Sequence, residues 1–178
     1  MNCVEINNKK CCFIGHRKIA ITENLKEKLT KIIDSLILSH NVSEFLFGSK
    51  SDFNDFCHTI VTNLKTKYPE IKRIAYTCKS ESAILECERE KFEKVYASVK
   101  GEKRSFLGFE SEVDFKSKYV SGKASYIERN QSMIDDSDFC IFYYDENYLP
   151  QGSKKSNSGT AIAYKYAKQK NKVIFNVY

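Results

Sequence analysis

The chain has 178 residues, 42% of them hydrophobic and 29% charged, which suits one folded domain over residues 1–178 and excludes a disordered chain. Its apolar runs are far too short to span a bilayer, and the segment from Met1 to Lys10 holds no signal-peptide core, so a cytosolic protein without membrane contact is expected. The formal charge of +6 comes mostly from lysines spread along the expected helices; it favours anionic ligands and leaves room for weak nucleic-acid contact, while a solvated basic surface explains it more simply.

Residues 10–15, Lys-Cys-Cys-Phe-Ile-Gly, read as a buried strand whose chain turns at Gly15. Thr22 is placed to cap the next helix, in which Leu25, Leu29, Ile32, Ile33, Leu36 and Ile37 recur at helical spacing. Residues 44–48 repeat the pattern of apolar strand and glycine. A second helix is predicted over 52–68, with Phe53, Phe56, Ile60, Val61 and Leu64 inward and Pro69 as its stop. Residues 72–78 make a third strand. The stretch 79–122 breaks the rhythm: a helix over 82–98, a turn at Lys100-Gly101-Glu102, and an irregular region containing Phe106-Leu107-Gly108-Phe109. Residues 123–136 are predicted helical, 139–144 form the clearest strand, and 145–158 a polar loop. Ser158 caps a further helix, and 172–177 is the last strand. Strands that alternate with helices, and are apolar almost throughout, predict a three-layer Rossmann-like α/β sandwich with a mainly parallel sheet of about five strands. Such sheets bind ligands beyond the carboxyl ends of their strands.

Four loops have a composition suited to an anion at that rim. Gly15-His16-Arg17 joins a glycine, past which backbone N–H groups approach a phosphate, to a guanidinium that forks onto phosphate oxygens. A tight turn with a solvated arginine explains the tripeptide equally well. Gly48-Ser49-Lys50-Ser51-Asp52-Phe53-Asn54 is rich in hydroxyls and helix caps. Arg129 and Asn130 lie on a helix before the clearest strand, where Asp138 reads as a tie between helix and sheet. Ser156-Asn157-Ser158-Gly159-Thr160 is a hydroxyl- and glycine-rich helix entry, an anion site by geometry. It matches neither the P-loop nor the Gly-x-Gly-x-x-Gly pattern, and capping alone accounts for it as well. Tyr76, Tyr143 and Tyr144 fall near strand ends, where they either stack on a base or pack in the core. The seven cysteines form no Cys-x-x-Cys pair and read as buried reduced thiols. His16, His40 and His58 lack metal-ligand spacing, and neither a metal nor a cofactor is expected.

The order of these loops is more specific than any one of them. Phe13-Ile14-Gly15-His16-Arg17 resembles the "TGHR" opening of the YpsA-like branch of the SLOG superfamily, which groups Rossmann-like proteins of the DprA and "lonely guy" types. Phe47-Gly48-Ser49 through Asp52-Phe53-Asn54 is similar to that branch's "GGA-x-GFD" segment. The run from Arg129 to Asp138 resembles "RNxxMVDxSD", and Tyr144-Asp145 followed by Ser158-Gly159-Thr160 resembles "YD…GGT". Residues 79–122 are covered only loosely, as an insertion, and Ser49 and Ser158 stand where the motifs have glycine.

The resemblance implies a pocket for a nucleotide or nucleotide sugar, formed by Gly15, His16, Arg17, Gly48, Ser49, Arg129, Asn130, Ser158, Gly159 and Thr160. Asp52, Phe53, Tyr76, Met133 and Tyr144 are candidates for base or ribose contacts, and a homo-oligomer is expected. Phosphoribohydrolases of the "lonely guy" type carry glutamates just after Gly-Thr, where a carboxylate steadies positive charge developing at the anomeric carbon. Here that stretch is Ala161-Ile162-Ala163. The favoured reading is therefore a sensor or carrier of a nucleotide-derived molecule, with a defence-signalling role conceivable by analogy alone. Two other classes stay open: an N-glycosidase or deoxyribosyltransferase with Glu128 or Asp52 as its acid, and a protein associated with single-stranded DNA.

Overall fold

A computed structural model describes residues 8–48, 51–78, 88–99, 115–116, 122–148 and 158–178. The strands are β1 (Lys9–Gly15), β2 (Val42–Phe47), β3 (Lys72–Thr77), β4 (Lys94–Val99), β5 (Phe115–Lys116), β6 (Phe139–Tyr143) and β7 (Val173–Asn176). They form a seven-stranded sheet in the order β5-β4-β3-β2-β1-β6-β7, and every pairing is parallel. The helices are α1 (Glu23–His40), α2 (Asp52–Leu64), α3 (Gly122–Asp135) and α4 (Gly159–Gln169). The chain walks outward from β1 to one edge, then adds β6 and β7 on the other side of β1. The order reverses between β1 and β6, where an open α/β sheet leaves a crevice beyond its strand ends. The register pairs Gly15 with Tyr143, so β1 and β6 end level at that crevice.

Alternation along the strands explains the three layers. Cys11 and Phe13 of β1 pack with Phe45 and Phe47 of β2 and with Leu29, Ile33, Phe53 and Cys57 of α1 and α2. Cys12 and Ile14 turn to the opposite face, against Met133 and Ile134 of α3 and Ala163 and Ala167 of α4. Both faces of the sheet are thus covered, which is why β6 and the later parts of β1 and β2, from Cys11 and Phe45 onward, are apolar without a break. The described cysteines, Cys11, Cys12, Cys57, Cys78 and Cys140, are free and buried. Among the described residues no helix is long and apolar enough to cross a membrane.

Local signals set the helix ends. The Thr22 hydroxyl accepts the Leu25 N–H at 3.1 Å, and α1 stops at Asn41, which adopts the left-handed conformation with φ 56°. Asp138 ties the sheet together: its Oδ2 accepts the Lys10 N–H at 2.9 Å, and its own N–H donates to the Lys10 carbonyl at 2.9 Å.

The expected Rossmann-like sandwich with a mainly parallel sheet is present, with seven strands among the described residues where about five were expected. Two expectations need correction. The helix over 82–98 does not extend to its predicted end, because Arg89–Lys91 is a single 3-10 turn and Lys94–Val99 is strand β4. Helix-favouring Glu and Lys residues surround Val95, Tyr96 and Val99, whose β-branched and aromatic side chains are the strand signal. The part of that helix before residue 88, and the segment around Phe106-Leu107-Gly108-Phe109, lie outside the described residues. Finally, α2 ends at Leu64, four residues before the predicted limit at Tyr68. Its last turn tightens, with Thr66 and Lys67 N–H groups bonding the carbonyls three residues back.

Candidate functional site

A cavity of about 390 Å³ opens at the strand ends around the reversal point, within the range of about 300–1,000 Å³ usual for small-molecule sites. Gly15, His16 and Arg17 enter it from the end of β1, and Gly48 from the end of β2. Ser51 and Asn54 come from the start of α2, and Lys123, Tyr126, Ile127, Arg129 and Asn130 from α3. Tyr148 comes from the loop after β6, and Ser158, Gly159 and Thr160 from the start of α4. The structure therefore gathers the four sequence loops on one hollow. Ser49 lies outside the described residues.

Two helix N-termini face this hollow, and each is prepared by a serine. At α4 the Ser158 hydroxyl accepts the Ala161 N–H at 3.0 Å, and the Ser158 carbonyl accepts the Ile162 N–H. The N–H groups of Gly159 and Thr160 have no partner among the described residues. Such first-turn donors carry the positive end of the helix and suit an anion. At α2 the Ser51 hydroxyl accepts both the backbone and the side-chain N–H of Asn54, at 3.1 and 3.0 Å. Asn54 Oδ1 accepts the Gly48 N–H at 3.3 Å, and the Arg17 carbonyl accepts the Asp52 N–H at 2.9 Å. These bonds fix the loops after β1 and β2 against each other.

The lining is cationic. The Arg17 side chain is exposed and has no polar partner among the described residues. Arg129 is only 1% exposed. Its Nη2 donates to Asn130 Oδ1 at 3.1 Å, and its guanidinium lies 5.2 Å from the centre of the Tyr126 ring. Among the described lining residues there is no Asp or Glu, and no group of His, Cys, Asp and Glu among the described residues is placed to hold a metal ion.

His16 forms part of the floor and is 3% exposed. Its Nε2 accepts the Asp145 N–H at 2.9 Å, and its ring stacks on Tyr148 with centroids 4.0 Å apart. Burial pushes the imidazole below its ordinary pKa, against the opposing pull of the Asp145 carboxylate. Only the neutral ring accepts the Asp145 N–H, so the geometry works in the direction of burial. His58, on α2, is also pushed down by burial while its Nε2 meets the Lys91 carbonyl at 3.0 Å. Both groups bind a proton less readily folded than unfolded. Their stabilising contribution is full above the unfolded pKa of about 6.5 and is lost as the pH falls through the folded values. Thermal midpoints measured from about pH 8 to about pH 5 should therefore decline below about pH 6.5; a flat profile across that window contradicts the two neutral imidazoles.

The candidates for base or ribose contact are placed differently from the loop residues. Phe53 is fully buried beneath Gly15. Tyr76 belongs to the core on the α3 face, where its hydroxyl donates to Asp136 Oδ2 at 2.5 Å. Met133 is fully buried, with its sulfur against Gly48. Tyr144 stacks on Tyr164 at 4.6 Å, and Asp52 pairs with Lys18 at 3.2 Å. None of these five is among the described lining residues. Phe53, Tyr76, Met133 and Tyr144 turn toward the two cores instead of the rim, and Asp52 turns toward the exposed Lys18. The lining residues that the sequence did not point to are Lys123, Tyr126, Ile127 and Tyr148, while Ser51 and Asn54 belong to the second of the four loops. Tyr126 was readable as the residue one turn before Arg129 on the same helix face. Tyr148 was not, because it reaches His16 only through the β1–β6 pairing.

The parallel sheet, with a glycine- and hydroxyl-rich cavity where its strand order reverses, defines a Rossmann-like α/β protein whose cavity is built from strand-end loops. The sequence profile of the YspA SLOG family matches residues 14–178, and the chain belongs to that family. No curated protein matches it significantly.

Proposed function

We propose that the cavity binds a nucleotide or nucleotide-derived molecule, and that the protein acts as its sensor or carrier. The observation that carries this reading is the convergence on one hollow of Arg17, Arg129 and the Gly159 and Thr160 N–H groups, which have no partner among the described residues. Backbone N–H groups near Gly15, Gly48 and Gly159 hold phosphate together with the two arginines, and Asn130 and Thr160 hold ribose hydroxyls. The surroundings are those of a cytosolic homo-oligomer, which sedimentation of the purified protein checks.

Calorimetry against a panel of nucleoside monophosphates and signalling nucleotides tests the reading. Saturable binding of at least one member supports it, and no binding by any member overturns it. The same incubations separate binding from the rival N-glycosidase reaction. Intact nucleotide at the end supports a binder, whereas free base released in a way that requires Asp52 or Glu128 overturns that choice in favour of an enzyme.

A further inference from the structure

The cavity lining combines two chemistries. The N-terminus of α4 and Arg17 supply polar and charged groups, and the ring of Tyr148 supplies an aromatic surface. One face of the Tyr148 ring rests on the His16 imidazole, with centroids 4.0 Å apart and planes at 28°. His16 is itself fixed, because Asp145 N–H donates to its Nε2 at 2.9 Å. The turn that presents Tyr148 is closed by two further bonds: Tyr148 N–H to the Asp145 carbonyl at 3.1 Å, and Asn147 N–H to Asp145 Oδ1 at 2.8 Å. Tyr148 is half-buried, so the ring is held by its backing while part of it still faces the cavity. On the α3 side Tyr126 and Ile127 extend the apolar surface.

An inorganic phosphate has no face to lay on such a wall, and the ribose of a sugar phosphate offers it only C–H groups. A planar base does, because stacking rewards a flat π-face held in place before the ligand arrives. We propose that Tyr148, backed by His16, is the stacking surface for an aromatic base, so that the ligand class is nucleoside phosphates rather than phosphorylated sugars. This rests on the nucleotide reading above and adds the residue that selects the base.

The test compares the four common nucleoside 5′-monophosphates with ribose 5-phosphate by calorimetry, in the wild-type protein and in Tyr148→Ala and Tyr148→Phe. The expected result is that Tyr148→Ala weakens the best-bound monophosphate about tenfold or more, leaves ribose 5-phosphate unchanged, and that Tyr148→Phe restores monophosphate binding. Retained ribose 5-phosphate binding also shows that the alanine variant is folded. Equal weakening of both ligands by Tyr148→Ala, or no weakening of either, overturns the stacking role while the nucleotide reading stands. Wild-type binding of ribose 5-phosphate alone also overturns it. Failure of the wild-type protein to bind any of these ligands overturns the stacking role, and failure of the wider nucleotide panel as well overturns the nucleotide reading with it.

Discussion

Gly15→Ala is expected to lower stability by about 3 kcal/mol, the upper end of the range for overfilling a packed site. A Cβ at position 15 would lie 2.4 Å from Phe53 Cδ1, 2.5 Å from Cγ and 2.8 Å from Cβ. Those atoms include the root of the Phe53 side chain, which a rotamer change cannot move aside. Phe53 is fully buried between α2 and the sheet, so relief requires α2 or the end of β1 to shift. Either shift moves the Arg17 carbonyl relative to the Asp52 N–H and disturbs the rim. For a domain of this size the thermal midpoint should fall by about 6–12 °C. Gly159→Ala is the matched control, because no atom lies within 4 Å of its Cβ position, and its midpoint should stay near that of the wild type. Equal melting of the two variants would show that Phe53 does not set the glycine at position 15.

The same contact explains why the sequence reading of position 15 was right about the residue and silent about its cause. Phe-Ile-Gly-His-Arg reads as strand, turn and anion-facing loop without any knowledge of what lies beneath the glycine. The strands over 10–15, 44–48, 72–78 and 139–144 were legible because burial on both faces leaves near-continuous apolar runs bounded by glycine or polar residues. β4 was hidden by its flanks: Glu88, Arg89, Glu90 and Lys91 favour helix, and only the β-branched and aromatic Val95, Tyr96 and Val99 argue for a strand. The four loops of the cavity were legible because each carries its own short motif. The aromatic end was not, since Tyr148 has no motif and gains its position from the pairing of Gly15 with Tyr143, a long-range register that local sequence does not encode.

Arg17→Ala is expected to weaken nucleoside monophosphate binding about tenfold at low salt while leaving the thermal midpoint unchanged. A charge-assisted hydrogen bond contributes about 1.5–3 kcal/mol where it is made in a shielded site. Arg17 is exposed, so solvent and ions screen part of that, and the lower end applies. Its guanidinium has no polar partner among the described residues, so truncation leaves no buried group unsatisfied and the fold should not respond. Added salt should shrink the difference between wild type and variant. Equal affinities at low salt would remove Arg17 from the binding site.

Amide resonances of the isotope-labelled protein, followed during titration with the best-bound nucleoside monophosphate, give the most direct test of a ligand held at the strand ends. The resonances of Gly15, Gly48, Gly159 and Thr160 are expected to move together and saturate at one common affinity, while those of β7 stay fixed. Perturbations scattered over other surfaces, with these four amides unmoved, would contradict a single phosphate-holding cavity.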